Sequence, residues 1–154
     1  MKTHFPNQIA LIWAGLVIGG SILAAPAKFQ VEELSLPIAL QVGRVQFLWV
    51  TYGELVCLAT IVAWMIVSCR RFGGFPKGAA VIGMAIATAI FAIQHLAMMP
   101  PLQARSEQVI SGETVDSSYL HTLYIIAEVV KVMIVTASGF LPITVASGQT
   151  ARRP

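Results

Sequence analysis

The stretch Tyr119-Leu120-His121-Thr122-Leu123-Tyr124-Ile125-Ile126-Ala127-Glu128-Val129-Val130-Lys131-Val132-Met133-Ile134-Val135 opens an apolar run that continues to Ala146. It is long enough to cross a hydrocarbon layer about 30 Å thick, which takes about 20 residues of helix. Yet it carries an acid and a base near its middle. A charge at that depth costs roughly 2.5–3.5 kcal/mol on insertion scales. Such groups persist where they face a bundle interior, pair with one another, or line a path for something polar. The run therefore reads as a membrane helix with a polar face turned toward other helices.

Three more apolar runs, roughly 8–25, 45–68 and 78–99, complete a set of four with 119–146. The expected fold is all-α: a four-helix transmembrane bundle, up-down-up-down, forming a single integral membrane domain over 1–154. Composition agrees. The 154 residues are 56% hydrophobic and 11% charged, against about 25% charged in soluble domains. The N-terminus imitates a secretory signal, with Lys2 before an apolar run that ends Ala24-Ala25-Pro26-Ala27. It is read here as the first span. The last span is long enough to tilt, or to emerge before Pro142.

The connections follow from the breakers. Phe72-Gly73-Gly74-Phe75-Pro76 makes a short turn between the second and third spans, and Pro100-Pro101 is expected to stop the third. Residues 102–118 read as an aqueous loop. Residues 26–44, amphipathic and holding Pro26 and Pro37, suggest a short helix on the membrane surface. Gly15 and Gly19 form a small-xxx-small pair in the first span. Gly78, Gly83, Ala85, Ala87 and Ala89 supply small residues in the third, so close helix packing is expected, with a dimer face as the alternative.

Orientation rests on Lys and Arg. Lys2, Arg70, Arg71, Lys77, Arg152 and Arg153 fall on one side, six residues in all. The other side holds three, Lys28, Arg44 and Arg105, with the acids Glu32, Glu33, Glu107, Glu113 and Asp116. Both termini should then be cytoplasmic. A bacterial inner membrane fits the short chain, the short loops and the lack of an organelle-targeting pattern.

Glu54 lies nine residues past Val45, and Glu128 nine past Tyr119. At helical rise both sit about 13 Å below the same surface. Lys131 is one turn deeper on the Glu128 face. These three form the expected polar centre. His121, Tyr124, Glu128 and Lys131 recur at steps of three, four and three, hence on one helix face. Gln94 and His95, near the outer end of the third span, should reach the level of His121 and Tyr124. Gln94, His95, His121 and Tyr124 together mark an entrance. The plainer reading is an ion pair that fixes helix register and moves nothing. The functional reading is a pocket open outward, in which one carboxylate in excess accepts a cation or a proton.

Other chemistry is thinly supported. His95, Met98, Met99 and His121 are the candidate metal ligands, of a type that suits copper(I), although Met is also ordinary filler. Cys57 and Cys69 are twelve residues apart, about 18 Å along a helix and too far to bridge. They are read as free thiols. His4 reads as solvated. Trp13, Trp49 and Trp64, with Tyr52, Tyr119 and Tyr124, lie mostly toward span ends, and interfacial anchoring explains several of them. No nucleotide loop, Ser/His/Asp pattern or zinc motif appears, so no cofactor is expected. Basic residues do not alternate with aromatics as a nucleic-acid surface requires. The expected partners are the lipid bilayer, other membrane subunits, or a second copy.

Three places together resemble a known family: Ala25-Pro26-Ala27-Lys28-Phe29 after the first span, Met99-Pro100-Pro101-Leu102-Gln103-Ala104-Arg105 closing the third, and Leu120-His121 opening the fourth. In this spacing the chain is similar to the transmembrane protein 205-like family, a membrane domain of unknown function. Arg44-Val45-Gln46-Phe47 departs from the family pattern. The resemblance implies a four-span bundle over nearly the whole chain and names no catalytic residue. A mammalian member is associated with drug resistance and export, which implies a transport-linked role.

Overall fold

The computed structural model describes residues 2–113, 115 and 118–145. Four helices are long and apolar enough to cross a membrane: α1 (Phe5–Gln30), α2 (Leu36–Phe72), α3 (Ala79–Ile110) and α4 (Leu120–Phe140). The chain is an all-α four-helix bundle and, by these helices, an integral membrane protein. Asp116, Ala146, Arg152 and Arg153 lie outside the described residues.

Three helices are longer than the sequence pattern suggests. The α2 helix runs 37 residues, about 55 Å at 1.5 Å per residue. It absorbs residues 36–44 of the stretch expected to lie on the membrane surface, while residues 26–30 continue α1. Pro37 is the reason: at the first turn it gives up an amide hydrogen that has no helical partner anyway. Likewise Pro100-Pro101 does not stop α3. The helix passes through a π-turn at Gln94–Met98 and begins a new α segment at Met99, with proline in its first turn. The wider turn accommodates a ring that an unbroken α ladder would reject. Residues 102–110 are thus helix rather than aqueous loop. The first span has the same plan, with a π-turn at Ile18–Ala24 before Pro26. The fourth span ends early, at Phe140.

Around the bundle α1 lies between α2 and α4, α4 between α1 and α3, and the outer part of α3 returns to α2. Hence α2 and α4 face each other across a diagonal. The core holds Ala10, Trp13, Ala14 and Val17 of α1, Cys57 and Ile61 of α2, Ala80, Met84, Ala87 and Phe91 of α3, and Val132 and Val135 of α4. Alanine at half of the α1 and α3 positions lets the backbones come close. Gly83 is pressed against Ser138 and Ile134, and Gly139 against Leu11 and Asn7, so a Cβ at either glycine would clash. Gly15 and Gly19 differ from the expected packing face: they look into open space. The outside is apolar too. Ile12, Leu23, Val56, Ile82, Leu96 and Met133 all point outward, as lipid contact requires.

The first and last described strands and the α2–α3 turn meet at one end. Strand β1 (Lys2–Thr3) pairs antiparallel with β2 (Ile143–Thr144), and Lys77 exchanges backbone hydrogen bonds with Thr144. Gly73 caps α2 at φ +70°, donating to the Cys69 carbonyl, and Gly78 sits at φ +134° where a Cβ would lie 2.7 Å from the Pro142 oxygen. Both positions need glycine. Asn7 fastens the same end. Its amide donates to the carbonyls of Ser138 (2.9 Å) and Leu141 (2.7 Å), which α4 leaves unpaired as it stops.

Candidate functional site: a buried charge triad beneath a cavity

The buried stripe of α4 is Tyr124, Glu128, Lys131, Val135 and Ser138, at steps of four, three, four and three. Three of these five side chains carry polar groups that α4 cannot satisfy alone. Lys131 reaches across the diagonal: its Nζ lies 2.6 Å from Glu54 Oε1 and 3.0 Å from Glu128 Oε2. Both are ion-pair contacts by distance, with angles outside hydrogen-bond geometry. Its Nζ also stands 5.5 Å from the centre of the Phe91 ring, within cation–π range. Lys131 has no exposed surface, and Glu54 and Glu128 almost none.

Each carboxylate has a neutral donor as well. Trp13 Nε1 of α1 donates to Glu54 Oε1 at 2.8 Å. Gln94 Nε2 of α3 donates to Glu128 Oε2 at 2.7 Å, and lies 3.4 Å from the Tyr124 carbonyl. All four helices thus contribute to one network. Among the described residues two acceptors stay without a hydrogen bond within it, Glu128 Oε1 and Gln94 Oε1. With two carboxylates and one ammonium, the fully ionised triad carries one negative charge in excess.

Glu128 also belongs to the floor of a cavity of about 690 Å³ at the end of the bundle opposite the termini. Its walls are mostly apolar, and Ile22, Leu40, Leu102 and Ile125 supply one side chain from each helix. Lys28, Arg44 and Arg105 give it three basic residues from α1, α2 and α3. Among the described residues Glu128 is the one acid on its lining. Ser21 lines it as well, with a buried hydroxyl that has no partner among the described residues. Tyr124, edge-on to Phe47 at 6.3 Å, lines the same space one turn above Glu128.

The residues named for the entrance divide. His121 and Tyr124 line the cavity. Gln94 is fully buried beside Glu128, part of the centre rather than its mouth. His95 points the other way, into the α2–α3 contact. Its Nδ1 donates to the Phe91 carbonyl at 3.0 Å, and Nε2 lies 2.9 Å from the Thr51 hydroxyl. The π-turn that starts at Gln94 sets both side chains. Of the metal candidates, Met99 and His121 line the cavity, while His95 is engaged elsewhere and Met98 is half-buried. Among the described residues no three His, Cys, Asp or Glu side chains are grouped to hold a metal ion.

Trp13 is the member sequence reasoning missed. An indole in an apolar run reads as an anchor at the lipid interface, but this one is buried in the core. The available signal was depth, since Trp13 lies mid-span rather than at a span end. Thr51 was missed for the same reason that Ser and Thr are common in membrane helices: each can satisfy itself on the preceding turn, as Thr51 does on the Phe47 carbonyl at 2.8 Å.

No protein-family model matches the chain, and neither does any curated protein or solved structure.

Proposed function

We propose that the chain is a transport-related membrane protein that handles a small solute or ion through the Glu54, Glu128 and Lys131 centre. The solute enters by the cavity and meets Glu128. One observation carries this reading: a buried carboxylate oxygen, Glu128 Oε1, without a hydrogen bond, on a side chain that lines a space open at one end of the bundle. An ion pair serving only to fix register gains nothing from an unsatisfied acceptor, which costs about 1–3 kcal/mol. The distribution of Lys and Arg supports an outward-facing cavity and cytoplasmic termini in a bacterial inner membrane. The likeness to transmembrane protein 205-like domains points to the same transport-linked role.

The test uses proteoliposomes with a trapped pH-sensitive dye and an imposed proton gradient. Wild type is expected to dissipate the gradient faster than protein-free vesicles, and Glu128→Gln to lose at least tenfold of that rate. Unchanged proton movement in both Glu54→Gln and Glu128→Gln overturns the reading.

A second reading, an accessory subunit of a larger membrane complex, draws on Gly15 and Gly19. Their outward position leaves room for another helix backbone to approach α1. Co-purification at native abundance distinguishes it, since a stoichiometric partner lost in Gly15→Leu would favour this role.

A further inference from the structure

The lining of the cavity specifies a ligand class, and this step rests on the solute-handling reading above. Among the described residues, Lys28, Arg44, Arg105 and the acid Glu128 line a space whose remaining wall is largely aliphatic. They are not evenly placed. Arg44 lies ten residues before Glu54 on α2, and Arg105 eleven after Gln94 on α3. At helical rise both stand about 15 Å above the triad. Lys28 sits at the same level, with its Nζ 3.5 Å from Gln46 Oε1 and near the rings of Phe29 and Phe47, 5.2 and 5.5 Å from their centres. Among the described residues no carboxylate meets it. Arg44 is paired at its outer side with Glu107 at 3.0 Å, a surface contact that holds the guanidinium at the rim without removing it from the lining.

A cation held against aromatic rings and an amide, with no acid beside it, is poised for an anion. Between this upper ring and the floor lies an apolar stretch about as long as a medium acyl chain. A volume of 690 Å³ falls within the range of about 300–1,000 Å³ typical of small-molecule sites. From this polarity we infer that the cavity binds a single-chain amphipathic anion, its acidic head on Lys28 and Arg44 and its chain against Ile22, Leu40, Leu102 and Ile125. The excess negative charge of the triad sits below the chain and opposes the head from a distance. At an effective dielectric near 20, one unit charge about 15 Å away weakens anion binding roughly sixfold. Removing that charge should therefore tighten binding.

The probe is radiolabelled decanoate, measured by equilibrium binding to the full chain in phosphatidylcholine nanodiscs, with empty discs subtracted. Decyltrimethylammonium, equal in chain and opposite in charge, is the control. Decanoate is expected to bind saturably, and the ammonium at least tenfold more weakly. Lys28→Gln and Arg44→Gln should each weaken decanoate about tenfold. Glu128→Gln should strengthen it severalfold, and Arg70→Gln, at the opposite end, should leave it unchanged. Competition by phosphatidylglycerol in the disc would identify a lipid headgroup as the natural anion, and its absence a free acid; either supports the anionic head. Equal binding of the two probes, or decanoate binding indifferent to both Lys28→Gln and Arg44→Gln, overturns the inference. Size-exclusion profiles and Trp fluorescence check that each variant is folded. The readouts separate the two readings: decanoate binding with proton movement unchanged in both Glu54→Gln and Glu128→Gln refutes the proposed function alone, and the reverse refutes this inference alone.

Discussion

Replacing Lys131 by Met tests the energetics of the centre most directly. The substitution keeps the length of the side chain and removes its charge, leaving Glu54 and Glu128 facing one another. Both carboxylate oxygens contact the same Nζ, at 2.6 and 3.0 Å, so they lie less than about 6 Å apart. At an effective dielectric near 20, two unit charges at that separation repel by about 3 kcal/mol. Removing one partner of a buried ion pair typically costs about 3–5 kcal/mol, since the remaining charge is left uncompensated. Trp13 and Gln94 still donate to the two carboxylates, which keeps the expected loss within that range. The triple variant Lys131→Met, Glu54→Gln, Glu128→Gln removes every charge and should recover most of the loss, because neutral replacement of a whole buried network is often neutral or stabilising. Reversible SDS unfolding followed by Trp fluorescence measures both, with Trp13 a local reporter beside Glu54. A single variant destabilised by under about 1 kcal/mol, or a triple variant no more stable than the single one, would refute the reasoning.

Trp13→Phe deletes the indole donor to Glu54, a hydrogen bond to a charged acceptor, and also removes part of the ring volume from the core. A loss of about 1.5–3 kcal/mol is expected by the same SDS assay. Asn7→Leu frees the carbonyls of Ser138 and Leu141 and should raise hydrogen exchange in the last turn of α4 before any change at Tyr124, with a stability loss of about 1–3 kcal/mol. Gly83→Val drives a side chain into Ser138 and Ile134 and should cost about 1–3 kcal/mol. Gly15→Ala meets nothing and should be neutral or stabilising by up to about 1 kcal/mol in unfolding measurements.

Much of this was legible because depth in a membrane is a matter of counting. Glu54, Glu128 and Lys131 were placed from residue number and helical rise alone, and in the structure the three side chains touch. The bundle followed from four apolar runs with breakers between them. What counting missed was local geometry. The π-turn at Gln94 adds a residue to a turn without any mark in the composition, so Gln94 and His95 separate into different contacts and the helix survives two prolines. Proline itself reads as a stop in sequence, yet at the first turn of a segment it removes a hydrogen that had no partner. Trp13 escaped because hydropathy treats indole as grease, whereas its N–H is a donor wherever an acceptor lies in reach. The cavity and the place of Lys28 on its wall were invisible because a void is a property of four helices together and of no single stretch.

Lys77, Asn7 and the short β1–β2 pair stitch one pole of the bundle through bonds to the backbone. A rod some 55 Å long that is clamped at its base turns small angular motion into large travel at its tip. A lean of about 5° moves that tip by roughly 5 Å. Such a lean of α2 would carry the mouth about twice as far as the charged centre, since Glu54 lies midway along the rod.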